Sequence, residues 1–204
     1  MKKELKKLVV TFAMVTVLGI VFTGCGDTAE PAEEAPAKTT TAAVTQTTEA
    51  AVTTEAPVDD GATTGQKNAL EKAKDYLNYT AFSKKGLTDQ LKFEGFSEED
   101  AAYGAENCGA DWNEQAVNKA KDYLNTMAFS EKGLTDQLKH EGFTEDEAAY
   151  GVKNCEADWN EQCEKKAQEY INTMSMSEDG LRDQLAYEGF SDEQIEKGLA
   201  AAGY

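Results

Sequence analysis

The sequence predicts an all-α protein built from three tandem repeats of 47 residues, each containing three helices in a helix-turn-helix-like arrangement. Residues of the same type recur at intervals of 47, as at Tyr76, Tyr123 and Tyr170. Within each copy, apolar residues are spaced by three and four positions, which is the period of an amphipathic helix. Repetition at this length is typical of arrays of small supersecondary units.

The middle copy predicts its three helices in order. Asp111 has a Glu three positions later, which is typical of a helix N-terminus, and the apolar spacing then predicts a helix to about Met127. Ser130 is the next predicted N-cap, and Gly142 is placed to end the second helix in a left-handed conformation. Thr144 begins a capping box that opens the third helix.

The repeat period divides the chain into five segments. They are a signal segment at residues 1–24, a linker at 25–66, and repeats at 67–115, 116–162 and 163–204. The first helix of the middle repeat begins after Asp111, before the boundary between residues 115 and 116. We therefore expect that helix, and its copy after Asp158, to run without interruption from one repeat into the next.

The N-terminus has the pattern of a lipoprotein signal. Lysines precede an uncharged, mostly apolar run of 15 residues from Leu8 to Phe22, a length that suits a signal peptide and is short for a membrane span. The run ends in Phe-Thr-Gly-Cys25, which resembles a bacterial lipobox although Phe22 replaces the usual Leu. The prediction is cleavage before Cys25 and attachment of lipid to its sulfur. The alternative is an ordinary secretory signal with an incidental Cys25.

Residues 26–66 are predicted to be a disordered tether. Thr, Ala, Glu and Pro dominate, and no apolar periodicity is present. Such a segment does not bury enough apolar surface to offset the entropy of an ordered chain. As a flexible coil it would have an end-to-end distance of about 35 Å, which would hold the repeats away from a membrane.

The charge of the repeats argues against nucleic acid as a partner. From Lys67 to Tyr204 there are 29 Asp and Glu residues against 15 Lys and Arg residues, a net charge of −14. Nucleic acids are bound chiefly by cationic surfaces that displace counterions. An acidic, exported array therefore has the wrong sign of charge and the wrong compartment.

The sequence offers no set of residues for catalysis, a metal or a cofactor. The single histidine, His140, is replaced by Phe93 and Tyr187 in the other copies, so no Ser-His-Asp or Cys-His arrangement recurs. The acidic runs at 97–100 and 144–147 lack the alternating carboxylates and central Gly of a calcium loop. Helix capping explains these runs.

Two of the cysteines flank one short junction between repeats. Cys155 and Cys163 are the pair predicted to form a disulfide that staples the second repeat to the third, since exported thiols can oxidise. The alternative is that both are buried as small apolar residues. Cys108 is expected to be unpaired in either case.

A long motif recurs in all three copies. It reads S-x-x-G-L-x-x-Q-L-x-x-E-G-F, begins at Ser83, Ser130 and Ser177, and is followed twice by the junction D-W-N-E-Q. This pattern, over residues 69–204, resembles the host cell surface-exposed lipoprotein family, whose Ltp-like helix-turn-helix repeats are known from phage superinfection-exclusion lipoproteins. The predicted lipobox and the Thr-rich tether match the layout of that family.

The resemblance implies a function as well as a fold. It implies helical repeats held by a lipid anchor on the extracytoplasmic face of the bacterial membrane. It further implies that they block DNA injection by superinfecting phage, through a phage tail protein of the tape-measure type. The alternative is a general cell-envelope interaction or structural lipoprotein without a phage role.

By the same analogy the partner site is acidic and lies on the second and third helices of the repeats. The candidate residues recur at 47-residue spacing on predicted helical surfaces; they are Asp89, Glu94, Asp136, Glu141, Asp183 and Glu188. The alternative is a solvated face that keeps an exported protein soluble.

Overall fold

The structure is a computed structural model that describes residues 61–204, and within that range the chain forms nine α-helices and no β-strand. The first repeat contains α1 (Thr64–Leu77), α2 (Lys84–Phe93) and α3 (Glu98–Asn107). The second contains α4 (Trp112–Leu124), α5 (Glu131–His140) and α6 (Glu145–Asn154). The third contains α7 (Trp159–Met174), α8 (Glu178–Glu188) and α9 (Asp192–Ala202).

Three features predicted for the N-terminus lie outside the described residues. They are the signal peptide, the lipidation of Cys25 and the tether as far as residue 60. From residue 61 onward, no helix combines the length and the apolar character needed to cross a membrane.

The predicted architecture of three helices per repeat is confirmed. The helices α4 and α7 each begin directly after an Asp N-cap, Asp111 and Asp158, whose carboxylate accepts two backbone N–H bonds. Both helices continue without a break across the positions where the 47-residue period divides one copy from the next. The compact structural unit therefore starts at the N-terminus of α4 or α7, a few residues before the period boundary.

The first and third helices of a repeat pack against each other most extensively. A glycine in the third helix permits this approach, because a Cβ on Gly151 of α6 would lie 2.8 Å from the carbonyl carbon and oxygen of Ala116 in α4. Gly104 of α3 lies equally close to Ala69 of α1. This close approach explains why a glycine recurs at this position of the third helix.

The helix ends follow the predicted caps with one difference. Thr144 forms both halves of a capping box with Glu147, and Gly142 has φ of 90° after the end of α5. By contrast, α4 ends at Leu124 rather than near Met127. The N–H groups of Thr126 and Met127 both donate to the carbonyl of Tyr123, which turns the chain toward α5.

The first helix begins within the segment that was assigned to the tether. Thr63 is its N-cap and forms a capping box with Gln66, so α1 starts at Thr64 and the boundary at residue 66 was wrong. The apolar signal for this start was weak, because Gly65 occupies the position of Trp112 and Trp159 in the other copies.

Each repeat has its own small core. The second helix contributes two buried leucines, as with Leu134 and Leu138 of α5, which face alanines and other small residues of the first and third helices. Trp159, the first residue of α7, packs against the core of the second repeat. The start of the third repeat thus helps to cover the apolar core of the second.

The three cysteines within residues 61–204 are free thiols, contrary to the disulfide expected between Cys155 and Cys163. Cys155 belongs to the core of the second repeat and its thiol donates to the carbonyl of Val152 at 3.1 Å. Cys163 is fully buried in the core of the third repeat, facing Gly198. Burial in two separate cores matches the alternative reading, in which both serve as small apolar residues.

Candidate partner-binding surface

Successive repeats contact each other through the ends of their second helices, at what we term the stacking junction. The hydroxyl of Ser83, the N-cap of α2, accepts from the N–H of Gly86 at 2.9 Å and donates to the carbonyl of Glu141 at 2.6 Å. Glu141 is the C-cap of α5. Ser130 makes the same bond to the carbonyl of Glu188 at 2.5 Å. The partly positive N-terminus of one helix therefore meets the partly negative C-terminus of another.

Further contacts complete each stacking junction. The side-chain carbonyl of Gln115 in α4 accepts from the backbone N–H of Phe82 at 3.4 Å. The ammonium of Lys119, one turn further along α4, lies 5.6 Å from the centroid of the Phe82 ring. The second junction repeats both contacts, at 3.4 and 6.0 Å, with Gln162, Lys166 and Phe129.

A polar triad of Tyr, Gln and Glu lies inside each repeat, next to the junction. The hydroxyl of Tyr123 donates to the carboxylate of Glu141 at 2.6 Å and accepts from the amide of Gln137 at 3.0 Å. Burial and then the neighbouring Glu141 carboxylate raise the pKa of Tyr123. The equivalent triads are Tyr76 with Gln90 and Glu94, and Tyr170 with Gln184 and Glu188.

The triads show how the structure uses three of the six acidic residues proposed for partner binding. Glu94, Glu141 and Glu188 are half-buried, and each accepts from the tyrosine of its own repeat. This role of the Tyr123 hydroxyl was not predicted, because Tyr123 entered only as a residue that recurs every 47 positions. The joint recurrence of Tyr, Gln and Glu every 47 residues was the available signal.

The other three acidic residues are exposed and form a repeated surface with a flat side chain four positions later. Phe93 is 67% exposed, Tyr187 is 84% exposed, and His140 occupies the equivalent exposed position. Residues four apart lie on the same side of a helix. We call this surface the second-helix face; it consists of Asp89, Phe93, Asp136, His140, Asp183 and Tyr187.

The charge of the second-helix face differs between repeats. Lys85 pairs with Asp89 at 2.6 Å and Lys132 pairs with Asp136 at 2.9 Å. In the third repeat Asp179 stands at the position of these lysines, so Asp183 has an acidic neighbour one turn away. This increase in negative charge extends to whole repeats, since Asp and Glu outnumber Lys and Arg by 8 to 6 in residues 64–110, 10 to 5 in 111–157 and 11 to 4 in 158–204.

The described residues contain no group of three or more His, Cys, Asp or Glu side chains placed to hold a metal ion. His140 lies on the exposed surface of α5 and makes no contact with a cysteine of the cores. The side chains that recur in the repeats form helix caps, triads and junctions. The fold and this surface define a helical-repeat protein with an acidic, partly aromatic exposed face.

The family of this protein follows from its repeats. Residues 64–107, 111–155 and 158–197 each match the host cell surface-exposed lipoprotein family, and together these segments cover more than half of the 204 residues. The chain belongs to this family, whose description is that of a surface lipoprotein and not of an enzyme.

Two solved structures resemble this chain. One is Ltp, a superinfection exclusion protein from the Streptococcus thermophilus temperate phage TP-J34, with 35% sequence identity over 45% of this chain and 95% of that chain and a TM-score of 0.43. The other is RecX from Lactobacillus salivarius, with 17% identity over 68% of this chain and 96% of that chain and a TM-score of 0.52. The likeness to RecX is one of fold alone. No curated protein matches this sequence.

Proposed function

We propose that this protein is a membrane-anchored, extracytoplasmic binding module that blocks DNA injection by superinfecting phage. The observation that carries the proposal is the match of three successive segments to a family of host cell surface-exposed lipoproteins. A relative that is 35% identical in sequence over 95% of its length is a superinfection exclusion protein, and we transfer that role to this chain as part of the proposal.

The proposed partner is a protein with a cationic segment, of the kind found in a phage tail or tape-measure protein. The acidic charge of the repeats supports this partner, because attraction between surfaces of opposite charge speeds and orients binding. We assign the contact to the second-helix face, through Asp89, Asp136 and Asp183. The glutamates of the triads support this face from within and are not its main contacts.

The function is tested by infection of a phage-sensitive host that expresses the full chain. We expect phage adsorption to stay unchanged while delivery of phage DNA into the cytoplasm is lost. Adsorption is measured by depletion of free phage, and DNA delivery by potassium efflux and by quantification of intracellular phage DNA. Unchanged DNA delivery across phages that infect the host would favour a general cell-envelope lipoprotein instead.

The second-helix face is tested by charge reversal at its exposed aspartates. The double variant Asp136→Lys/Asp183→Lys should lose protection while it remains folded and displayed at the cell surface. The matched control is Glu71→Lys/Asp75→Lys, which makes the same change in net charge at exposed positions of α1. Equal protection by both double variants would exclude this face as the contact.

The anchor is proposed to be a lipid on Cys25, with the tether between it and the repeats. Replacing Cys25 by Ala should move the protein from the membrane fraction to the medium, or leave it unprocessed. The readouts are fractionation and metabolic labelling with palmitate. Palmitate labelling of Cys25→Ala at the level of the unmodified chain would show that the lipobox assignment is wrong.

A further inference from the structure

Each stacking junction joins two different faces. The donor face lies at the N-terminus of a second helix and, in the first repeat, consists of Phe82, Ser83 and Lys85. The acceptor face lies on the next repeat. It includes the glutamine and lysine of that repeat's first helix and the carbonyl of the glutamate that ends its second helix, which are Gln115, Lys119 and Glu141 in the second repeat. Three repeats have three faces of each kind, and two of each are used by the two junctions.

The unused donor face of the third repeat differs from the two donor faces that are in use. Met176 replaces the phenylalanine and Asp179 replaces the lysine, while Ser177 is retained. The hydroxyl of Tyr204 donates to the carbonyl of Met176 at 2.5 Å, so the backbone at this position is engaged from within the third repeat. In the two junctions the equivalent phenylalanine uses a different backbone group, its N–H, which donates to a glutamine of the next repeat.

The unused acceptor face of the first repeat also differs. Asn68 stands where Gln115 and Gln162 accept from the neighbouring backbone, and its side chain is one methylene shorter. Gly65 stands where the other copies have a tryptophan, and the space that a Cβ would occupy there is taken by the carboxylate of Asp100. The lysine and glutamate of the acceptor face are retained as Lys72 and Glu94, which pair at 2.9 Å.

The exchange of lysine for aspartate has a clear physical consequence. At the first junction the aliphatic stem of Lys85 lies over Gly142, close enough that a Cβ on that glycine would be 3.1 Å from it. This lysine therefore packs its stem at the C-terminal end of α5, where a basic residue is favoured by the helix dipole, while its ammonium lies 2.6 Å from Asp89. Asp179 in the same geometry would bring a carboxylate to the C-terminal end of α2, beside Glu94, where like charges repel.

We propose that the two unused faces are closed against a further repeat, so that one copy of this chain does not stack head to tail on another. On both faces, residues that make contacts in the two junctions are replaced by different residue types. The reason for such closure is geometric: a head-to-tail contact uses different faces on the two copies, so it continues from copy to copy and builds an open filament unless the rotation closes a ring. Terminal repeats with altered outer faces serve the same purpose in other repeat arrays.

The experiment restores one face at a time in the detergent-solubilised full chain. The donor-restored variant is Met176→Phe/Asp179→Lys, and the acceptor-restored variant is Gly65→Trp/Asn68→Gln. Sedimentation velocity at sub-millimolar concentration should show the unmodified chain and each variant as single chains. An equimolar mixture of the two variants should sediment as a one-to-one complex. Adding Ser177→Ala to the donor-restored variant should abolish that complex, because it removes the hydroxyl that bonds to the carbonyl of the acceptor glutamate.

Two results would overturn the proposal. One is a mixture that remains single chains while the circular dichroism of both variants shows the helix content of the unmodified chain. The other is association of the unmodified chain in sedimentation velocity that disappears in the variant Ser177→Ala, because such association would use the donor face. The variant Asp183→Lys, which makes the same charge change outside the donor face, serves as the matched control and should not form a complex with the acceptor-restored variant.

Discussion

At the residue scale, the triads explain why three tyrosines, three glutamines and three glutamates recur together. In the second repeat, the Glu141 carboxylate accepts from Tyr123 and lies 3.6 Å from the ammonium of Lys119, while the backbone carbonyl of Glu141 accepts from Ser83 of the preceding repeat. One residue therefore links the inside of its repeat to the neighbouring repeat. A hydrogen bond to a charged group contributes about 1.5–3 kcal/mol, so each triad is a substantial part of the stability of a small repeat.

The triads predict a loss of stability at alkaline pH. Burial and the Glu188 carboxylate raise the pKa of Tyr170 to about 12 from its ordinary value of 10.0. The folded state therefore holds this proton more tightly than the unfolded state. The contribution is fully present below pH 10 and is lost as the pH rises from there to about 12. The measurement is the urea midpoint of unfolding as a function of pH.

The contribution of the triad is isolated by comparing variants. Tyr170→Phe should be less stable at neutral pH, and its stability should fall less steeply than that of the unmodified chain above pH 10. The control is Tyr150→Phe, which removes a hydroxyl at a position that is 47% exposed and should leave the pH dependence unchanged. Parallel pH profiles for Tyr170→Phe and the unmodified chain would contradict this account.

At the element scale, one serine caps two helices at once. Ser83 satisfies an N–H group at the start of α2 and a carbonyl at the end of α5, which are the groups that helix termini leave without partners. Ser177 makes only the first kind of bond, to the N–H of Gly180 at 3.3 Å. The two serines lie in the same motif. Only Ser83 also donates to a backbone carbonyl of the following repeat, that of Glu141.

This difference predicts the energy of the stacking junction. Ser177→Ala should lower the free energy of unfolding by about 1 kcal/mol, the usual value of an N-cap. Ser83→Ala should cost about 1–3 kcal/mol more, because it also leaves the half-buried carbonyl of Glu141 without this donor. Chemical denaturation of the two variants measures the difference. Equal losses would show that the bond between repeats contributes nothing to stability.

The glycine of α6 predicts a second effect at this scale. Gly151→Ala should destabilise the protein, because its Cβ would lie 2.8 Å from the backbone of Ala116 and such overpacking costs about 1–3 kcal/mol. This cost exceeds the gain of about 1 kcal/mol in helix propensity. The control is Gly180→Ala in the first turn of α8, where the nearest heavy atoms are side-chain atoms of Ser177 and Met176 at 3.3 and 3.8 Å. A more stable Gly151→Ala would contradict the close approach.

At the scale of the whole molecule, the described residues form a linear series of small cores joined by local contacts. The cores of the second and third repeats are separate clusters, linked through Trp159 of helix α7 and through the stacking junction from Ser130 to Glu188. Stability in such an array is approximately the sum of terms for repeats and for neighbouring pairs. Cys155 lies in the core of the second repeat and Cys163 in the core of the third. The reactivity of each thiol therefore reports whether its own repeat is folded.

The cysteines predict a graded reactivity with thiol reagents. Burial raises the pKa of Cys163 to about 11 and also raises that of Cys155, so both should be inert in the folded protein. Cys108 is partly exposed and should react first. After unfolding without a reductant, all three should be alkylated, as measured by mass spectrometry of peptides. A Cys155–Cys163 peptide that resists alkylation until reduction would show that the disulfide forms after all.

Sequence patterns were sufficient to predict the helical class and, for residues 61–204, the number of helices and most of their N-termini. These follow from short-range physics: apolar spacing of three and four predicts an amphipathic helix, and Ser, Thr or Asp at an N-cap satisfies the first free N–H groups. The 47-residue period added internal comparison, which showed that Phe93 and Tyr187 stand in the place of His140 and so argued against a catalytic histidine. Family membership followed from the same repeated motif.

Tertiary structure alone decided which polar groups meet across the chain. The contact from Ser83 to Glu141 spans 58 residues, and helical periodicity carries no information about a partner that far away. For the same reason, the sequence did not separate Glu141, held by Tyr123, from the exposed Asp136 on the same helix. The thiols of Cys155 and Cys163 are near in sequence but belong to different cores, because α7 begins a new repeat between them.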